Sequence, residues 1–389
     1  MNLLDRLSLR SNKPQTRRNV VERLAAAEDY GAVEVFIACL KDRDAQVRQT
    51  AAKAFNSISD ERAIEPLISA LGDLEHEVRA AAAMALGRQG SLSCVKHLVS
   101  ALSDCKTVVR SCAATSLRKL NWVAKNDEEQ VGFEIASGNA KAAARIGEAA
   151  VKPLLAELEH GDTSQRRIAA DALQEFDDSR IIVPLLTAVN DSEPAVRVSA
   201  IHALAKKTDE RVTEMLLKNL SDKNPLVRLA ASGALAQRNT PNRTDQFVAM
   251  LADESFEVRL KAVEFLGKMQ DPRLCEHLRP LLSDADGDVR RVVVEKLGAT
   301  KSKELIEAFV PMLIDEEGAV RDAALRMLDQ IDRNWAASKA ARKAAPRLEE
   351  ALKDRRPWVR SAVAPILARI NGKSIGDFSP WKAEMAPVQ

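Results

Sequence analysis

The stretch "LSDKNPLVRLAASGAL", Leu220–Leu235, decides the fold because its skeleton returns three more times. It recurs as "LADESFEVRLKAVEFL" at Leu251, "LSDADGDVRRVVVEKL" at Leu282 and "LIDEEGAVRDAALRML" at Leu313. The shared pattern is Leu-x-Asp-x(4)-Val-Arg followed by Ala and Leu. Aligned on the Arg, it extends to Arg48, Arg79, Arg110, Arg166, Arg197, Arg228, Arg259, Arg290, Arg321 and Arg360, and a spacing of 31 occurs in seven of the nine intervals. The two longer intervals hold insertions of 25 and 8 residues. One further step back lands on Arg17, where a degraded repeat is expected to open the chain. A fixed period of this size marks an array of stacked units rather than a globule.

Each unit reads as two helices. Apolar residues recur three, four and seven apart on both sides of the loop, and no alternating β-branched run occurs. Helix A is seen in "ERAIEPLISAL" and "SRIIVPLLTAV". Pro66, Pro153 and Pro184 fall early in their A helices, where a missing N–H costs least. Helix B begins near the Val-Arg, with the loop Asp or Ser expected to cap it. Ala three residues after most of the Arg residues lets successive helices approach closely.

These residues resemble HEAT repeats, of the short type first described in phycobilisome-lyase (PBS-lyase) proteins. The resemblance covers about residues 15 to 371. It implies an all-α fold, a right-handed α-solenoid of about eleven two-helix repeats, forming one domain over residues 1–371. The insertion falls at about 122–147 and the extension at about 332–346, and residues 372–389 form a tail or cap. The family's Asp and Val-Arg columns map onto Asp42, Asp73, Asp104, Asp191, Asp222, Asp253, Asp284, Asp315 and Asp354 and onto the Arg residues above. A cation six residues after an anion in every layer suggests a structural ladder of charge-assisted hydrogen bonds between neighbouring loops. A catalytic device is rarely needed ten times. Repeat 4 departs from the pattern, with His160 in the Asp column and Gln165 in the Val column. A weaker rung is expected there, with Asp162 as a substitute.

The segment "NWVAKNDEEQVGFEIASGNAKAAARIG", Asn121–Gly147, is similar to one carried by many bacterial and archaeal relatives. Trp122 and Phe133 are expected to dock it as one or two short helices, either as a spacer or as a ligand-specific element. The extension adds about two helical turns, which preserves the apolar phase. The tail, with Phe378 and Trp381, reads either as a cap or as a free linear motif.

Composition excludes several functions. Lys and Arg number 58 against 56 Asp and Glu, for a net charge of +2, so no global field draws the chain to nucleic acid or to an anionic membrane. The five cysteines lack CxxC spacing, which argues against a disulfide framework or a zinc site. Asp5, Arg6 and Arg10 stand where a signal peptide would be apolar, and no stretch is long and apolar enough to span a membrane, so the expected location is the cytoplasm. Deoxyhypusine hydroxylase, a HEAT-like enzyme, binds two irons through several His-Glu pairs; here only His76-Glu77 matches. No nucleotide, serine-hydrolase or zincin motif occurs. Catalytic residues, cofactors and metals are therefore expected to be none.

HEAT-like DNA glycosylases use a basic concave face with aromatics. On B helices, positions one, five and eight after the Arg lie opposite the apolar face, and their charges are five of each sign with no aromatic residue. The column nine after the Arg is more basic (Arg88, Lys119, Lys206, Lys268, Arg369 against Glu175), but its cations suit helix C-termini. Nucleic acid is accordingly not an expected partner. In mid-array the three columns hold Val198, His202, Leu229, Gly233 and Leu260, rimmed by Glu264 and Arg291. This strip is either a partner site for a protein or peptide, or simple contact between B helices. The resulting expectation is a non-enzymatic scaffold that binds protein on the concave face of the B helices. The alternative is an auxiliary subunit of a protein-modifying enzyme of the phycobilin-lyase type.

Overall fold

A computed structural model describes residues 3–238, 243–269 and 271–373. The tail with Phe378 and Trp381, and so the question of whether it is a cap, lies outside the described residues. All regular structure among the described residues is helical. The chain divides into two compact units, Met1–Lys207 and Thr208–Gln389.

In the first unit the B helices are Pro14–Ala26, Ala45–Ala54, His76–Gln89, Thr107–Lys119, Thr163–Leu173 and Pro194–Leu204. The short helix Leu3–Leu9 precedes the first of them. Each A helix is entered through a single 3-10 turn, as in Glu61–Ala63 before Ile64–Ala70 and Ser179–Ile181 before Ile182–Ala188. Pro66, Pro153 and Pro184 stand third in their A helices, where no intrahelical donor is needed.

In the second unit the B helices are Pro225–Ala236, Phe256–Leu266, Gly287–Gly298, Gly318–Ile331 and Pro357–Asn371. Two of its A helices tighten into 3-10 turns, Arg279–Ser283 and Val310–Ile314. Pro280 and Pro311 lie within those turns and remove the donor that an α-helical bond would use. The extension lengthens the last A helix to Lys339–Ala351, preceded by the 3-10 turn Trp335–Ala337.

The core follows the sequence columns. Phe36, Leu67, Leu98 and Leu154 from A helices, and Phe55, Leu86, Leu117 and Leu173 from B helices, are fully buried. The alanines three after the Arg, such as Ala51, Ala82, Ala200 and Ala262, are also inaccessible. Except across the insertion and at the last joint, successive B helices within each unit pack along one another far more extensively than successive A helices do, so the B row is the more tightly spaced one there. Gly87 shows how close that approach is. A Cβ there would lie 2.7 Å from the Ser116 Cα on the next B helix, and Ser116 Oγ donates to the Ala83 carbonyl at 2.8 Å. The column eight after the Arg therefore faces the next B helix at this joint instead of solvent.

Candidate functional site: the Arg-Asp ladder and the B-helix face

The recurring Asp does not cap helix B. Its Oδ1 accepts the N–H two residues on, as Asp42 does from Asp44 and Asp73 from Glu75, which folds the loop into an Asx turn. Where the side chain of the cap residue itself bonds, that residue is Asp44, Asp162, Asn224 or Asp286.

The Asp carboxylate instead holds the Arg of the preceding repeat, 25 residues earlier. Arg48 Nε and Nη2 fork Asp73 at 2.7 and 2.8 Å, and Arg79 forks Asp104 at 2.7 and 2.9 Å. The same two-pronged bond joins Arg17 to Asp42, Arg166 to Asp191, Arg228 to Asp253, Arg259 to Asp284 and Arg290 to Asp315. The third nitrogen, Nη1, turns back to its own loop. In Arg48 it donates to the Asp42 carbonyl at 2.8 Å, and in Arg197 to the Asp191 carbonyl at 2.9 Å. Asp222 takes part through its carbonyl, which accepts from Arg228 at 2.9 Å, and through its Oδ1, which accepts from the Asn224 N–H. One guanidinium thus ties two loops together, which suits the planar fork of Arg and no other side chain.

The pattern changes at the insertion and at the extension. At the insertion, Arg110 reaches Glu157 on the next A helix at 2.5 Å through Nη2, and its buried Nε has no hydrogen-bond partner among the described residues. Asp162 does not substitute; it caps helix Thr163–Leu173 in a reciprocal box with Gln165. Burial pushes the Glu157 carboxyl above the usual carboxylate range, with Arg110 opposing. At the extension, Arg321 keeps its bond to the Asp315 carbonyl, but its guanidinium lies 4.8 Å from the Trp358 ring centre. Asp354 pairs with Arg356, and Arg360 donates to the Asp354 carbonyl at 2.8 Å.

The ladder gives the stability a pH dependence. In Asp42, Asp73, Asp104 and Asp284, burial pushes the carboxyl up, but the Arg fork and the loop N–H together outweigh it. Each ends below the ordinary aspartate value. In Asp191 the Arg166 bond dominates outright. A folded-state value below the unfolded one means the contribution is present above about pH 4 and is lost as pH falls through the folded value. The thermal midpoint should hold steady from neutrality to about pH 5 and drop steeply below about pH 4. A midpoint unchanged down to strong acid would show that these pairs contribute nothing.

The insertion adds two helices, Asp127–Ala136 and Ala140–Ile146. The first packs on helix Thr107–Lys119 and the second on Thr163–Leu173. Trp122 and Phe133 meet at 5.7 Å between ring centres, Arg118 lies over Phe133, and Ser111 Oγ donates to the Ala136 carbonyl at 3.0 Å. The acidic cluster Asp127, Glu128 and Glu129 occupies the first turn of its helix, where it complements the dipole. His76 Nδ1 lies 3.1 Å from its neighbour Glu77 at the exposed start of a B helix.

Of the strip residues, Val198 and His202 belong to the first unit, half-buried and exposed respectively. The others belong to the second unit. Leu229, Gly233 and Leu260 are half-buried, and a Cβ on Gly233 would meet nothing within 4 Å. Beyond them the charges pair among themselves. Lys261 bonds Glu264 at 2.8 Å, and Glu295 lies 3.3 Å from Arg291 and 3.4 Å from Arg326.

A second set of pairs escaped the sequence reading. At the entry to A helices, Asp-x-Arg clips fold on themselves. Arg62 reaches Asp60 at 2.7 Å and Glu34 of the preceding repeat at 2.8 Å, and Arg180 reaches Glu148 at 2.8 Å. Arg211 with Asp209 and Arg273 with Asp271 repeat the clip in the second unit. The signal was an Asp-x-Arg in register with the period, at Asp178, Asp209 and Asp271. These exposed pairs contribute little energy.

No helix among the described residues is long and apolar enough to cross a membrane. The family model for HEAT repeats matches residues 2–75, 64–131, 151–231, 213–291 and 276–364. No curated protein matches the chain. Among solved structures, the X-ray structure of YibA from Escherichia coli is 19% identical, over 82% of this chain and 98% of that one, with a TM-score of 0.32. The 31-residue period and the two-helix units agree with the matched family model, and the chain belongs to the HEAT-repeat family.

Proposed function

We propose that the protein is a non-enzymatic scaffold of the cytoplasm that binds a protein or peptide along its B-helix face. The observation that carries this reading is the surface of the second unit at Leu229, Gly233 and Leu260. There an accessible apolar floor with room above Gly233 meets a rim of paired charges. Such a surface suits a docked helix or extended peptide, with apolar contact for affinity and charge for register. Five free cysteines suit a reducing compartment.

The test combines affinity capture from the native cell with a photo-cross-linking residue at position 233. Leu229→Asp should weaken capture at least about tenfold, while stability changes by less than about 1 kcal/mol because the side chain is only half-buried. Unfolding of the variant would place Leu229 in the core. Unchanged capture would move the site to the inserted helices. A tetrapyrrole absorbance in the purified protein would favour the lyase-type auxiliary role instead.

A further inference from the structure

The last described repeat differs from the rest of the chain in charge. From Lys339 to Lys373 there are ten Lys or Arg and three Asp or Glu, an excess of +7 in a chain whose total is +2. Lys339, Arg342, Arg347 and Arg355 from this set are exposed. Arg360 is the last described rung, in the first turn of helix Pro357–Asn371, with exposed Arg355 and Arg356 just before that helix. In seven rungs the Nε and Nη2 edge of the Arg forks an aspartate of the next loop. Arg360 is held in the same way from behind, with Nη1 on the carbonyls of Asp354 and Arg355 at 2.8 and 3.1 Å. No following repeat supplies a carboxylate to its forward edge among the described residues. With Nη1 anchored as in the forked rungs, Nε and Nη2 are left for a bidentate acceptor, and the exposed Arg355 is adjacent.

We propose that this end of the second unit docks an acidic protein segment, one of whose carboxylates completes the rung on Arg360. Three observations select this occupant. The fork is the one that takes a carboxylate elsewhere in the ladder, and the exposed Arg355 beside it complements a further acidic residue. The neighbouring Trp358 ring already carries the guanidinium groups of Arg321 at 4.8 Å and Arg356 at 5.3 Å, so it is engaged by cations rather than set out to stack a nucleobase. A second copy stacked head to tail is disfavoured as well. The first described loop has Ser11 where the ladder aspartate would stand, so a second copy would bring no carboxylate in that column; its carbonyl accepts from Arg17 Nη1 at 2.7 Å.

The experiment uses the full-length chain and a fluorescent oligo-aspartate peptide, with a single-stranded oligonucleotide and phosphatidylserine vesicles as competing probes. The peptide should bind in a salt-dependent way. Arg360→Lys, which keeps the charge but loses the fork, should weaken it about tenfold. Arg355→Glu, at an exposed position that carries no packing, should weaken it too. The proposal fails if Arg360→Lys binds like the wild type, or if the oligonucleotide or the vesicles bind more tightly than the peptide. It also fails if Asp377→Asn tightens peptide binding, because the chain's own tail would then hold the fork.

Discussion

Replacing Arg228 with alanine should cost about 3–5 kcal/mol, the range for removing one partner of a buried pair. The side chain of Arg228 is 7% exposed and that of Asp253 is 11% exposed. Arg228 makes both prongs to Asp253, at 2.7 and 2.6 Å, and one bond to the Asp222 carbonyl at 2.9 Å. Alanine leaves a buried carboxylate that keeps the Ser255 N–H but loses both prongs of the guanidinium, and an Asp222 carbonyl that loses the Arg228 donor. The loss is greater than for a surface ion pair because water cannot readily take the place of the guanidinium. In a stacked array the damage stays local first. Hydrogen exchange should therefore accelerate in Pro225–Ala236 and Phe256–Leu266 before the rest of the second unit responds. Arg228→Lys should recover only part of the stability, since an ammonium cannot bridge two loops in one plane. Normal exchange in Arg228→Ala would remove the ladder from the account of stability.

This residue also shows what the sequence could and could not reveal. The period of 31 fixes which residues are equivalent, and equivalence together with helical phase was enough for the fold. Those columns say that Asp222 and Arg228 belong to one loop, but they do not say which carboxylate the guanidinium chooses. Its partner proved to be Asp253, because the side chain points along the stack toward the next loop while only Nη1 returns to its own. The same limit applies at the insertion. Arg110 turns to Glu157, a residue outside the Asp column, because the inserted pair changes which atoms lie in reach. Surface columns were less legible than core columns for a related reason. Whether a position eight after the Arg is open or covered depends on the spacing of neighbouring helices. Gly87 is covered by Ser116, whereas Gly233, five after its Arg, is open.

Trp335→Ala should cost a similar amount, about 3–5 kcal/mol, as expected for truncating a fully enclosed aromatic side chain. Trp335 is 1% exposed and sits in the 3-10 turn that opens the extended joint. That turn packs against the B helices Gly318–Ile331 and Pro357–Asn371 and the A helix Lys339–Ala351. Its Nε1 donates to Asp329 Oδ1 at 2.9 Å, and the same carboxylate receives Arg369 at 3.2 Å, whose guanidinium lies 4.8 Å from the indole centre. The ring thus fills the volume that eight added residues would otherwise leave between two repeats, and its polar edge is satisfied at the rim. Alanine removes the filling and the bond together. Trp335→Phe separates them: it should cost about 1 kcal/mol beyond the small volume lost, because Asp329 is 45% exposed and can turn to water. Thermal unfolding of both variants decides the matter. If Trp335→Ala and Trp335→Phe are equally destabilised, the hydrogen bond and not the packing holds the joint. If neither is destabilised, the extension is an appendage to the stack and the last repeat is held by Lys339–Ala351 against Pro357–Asn371 alone.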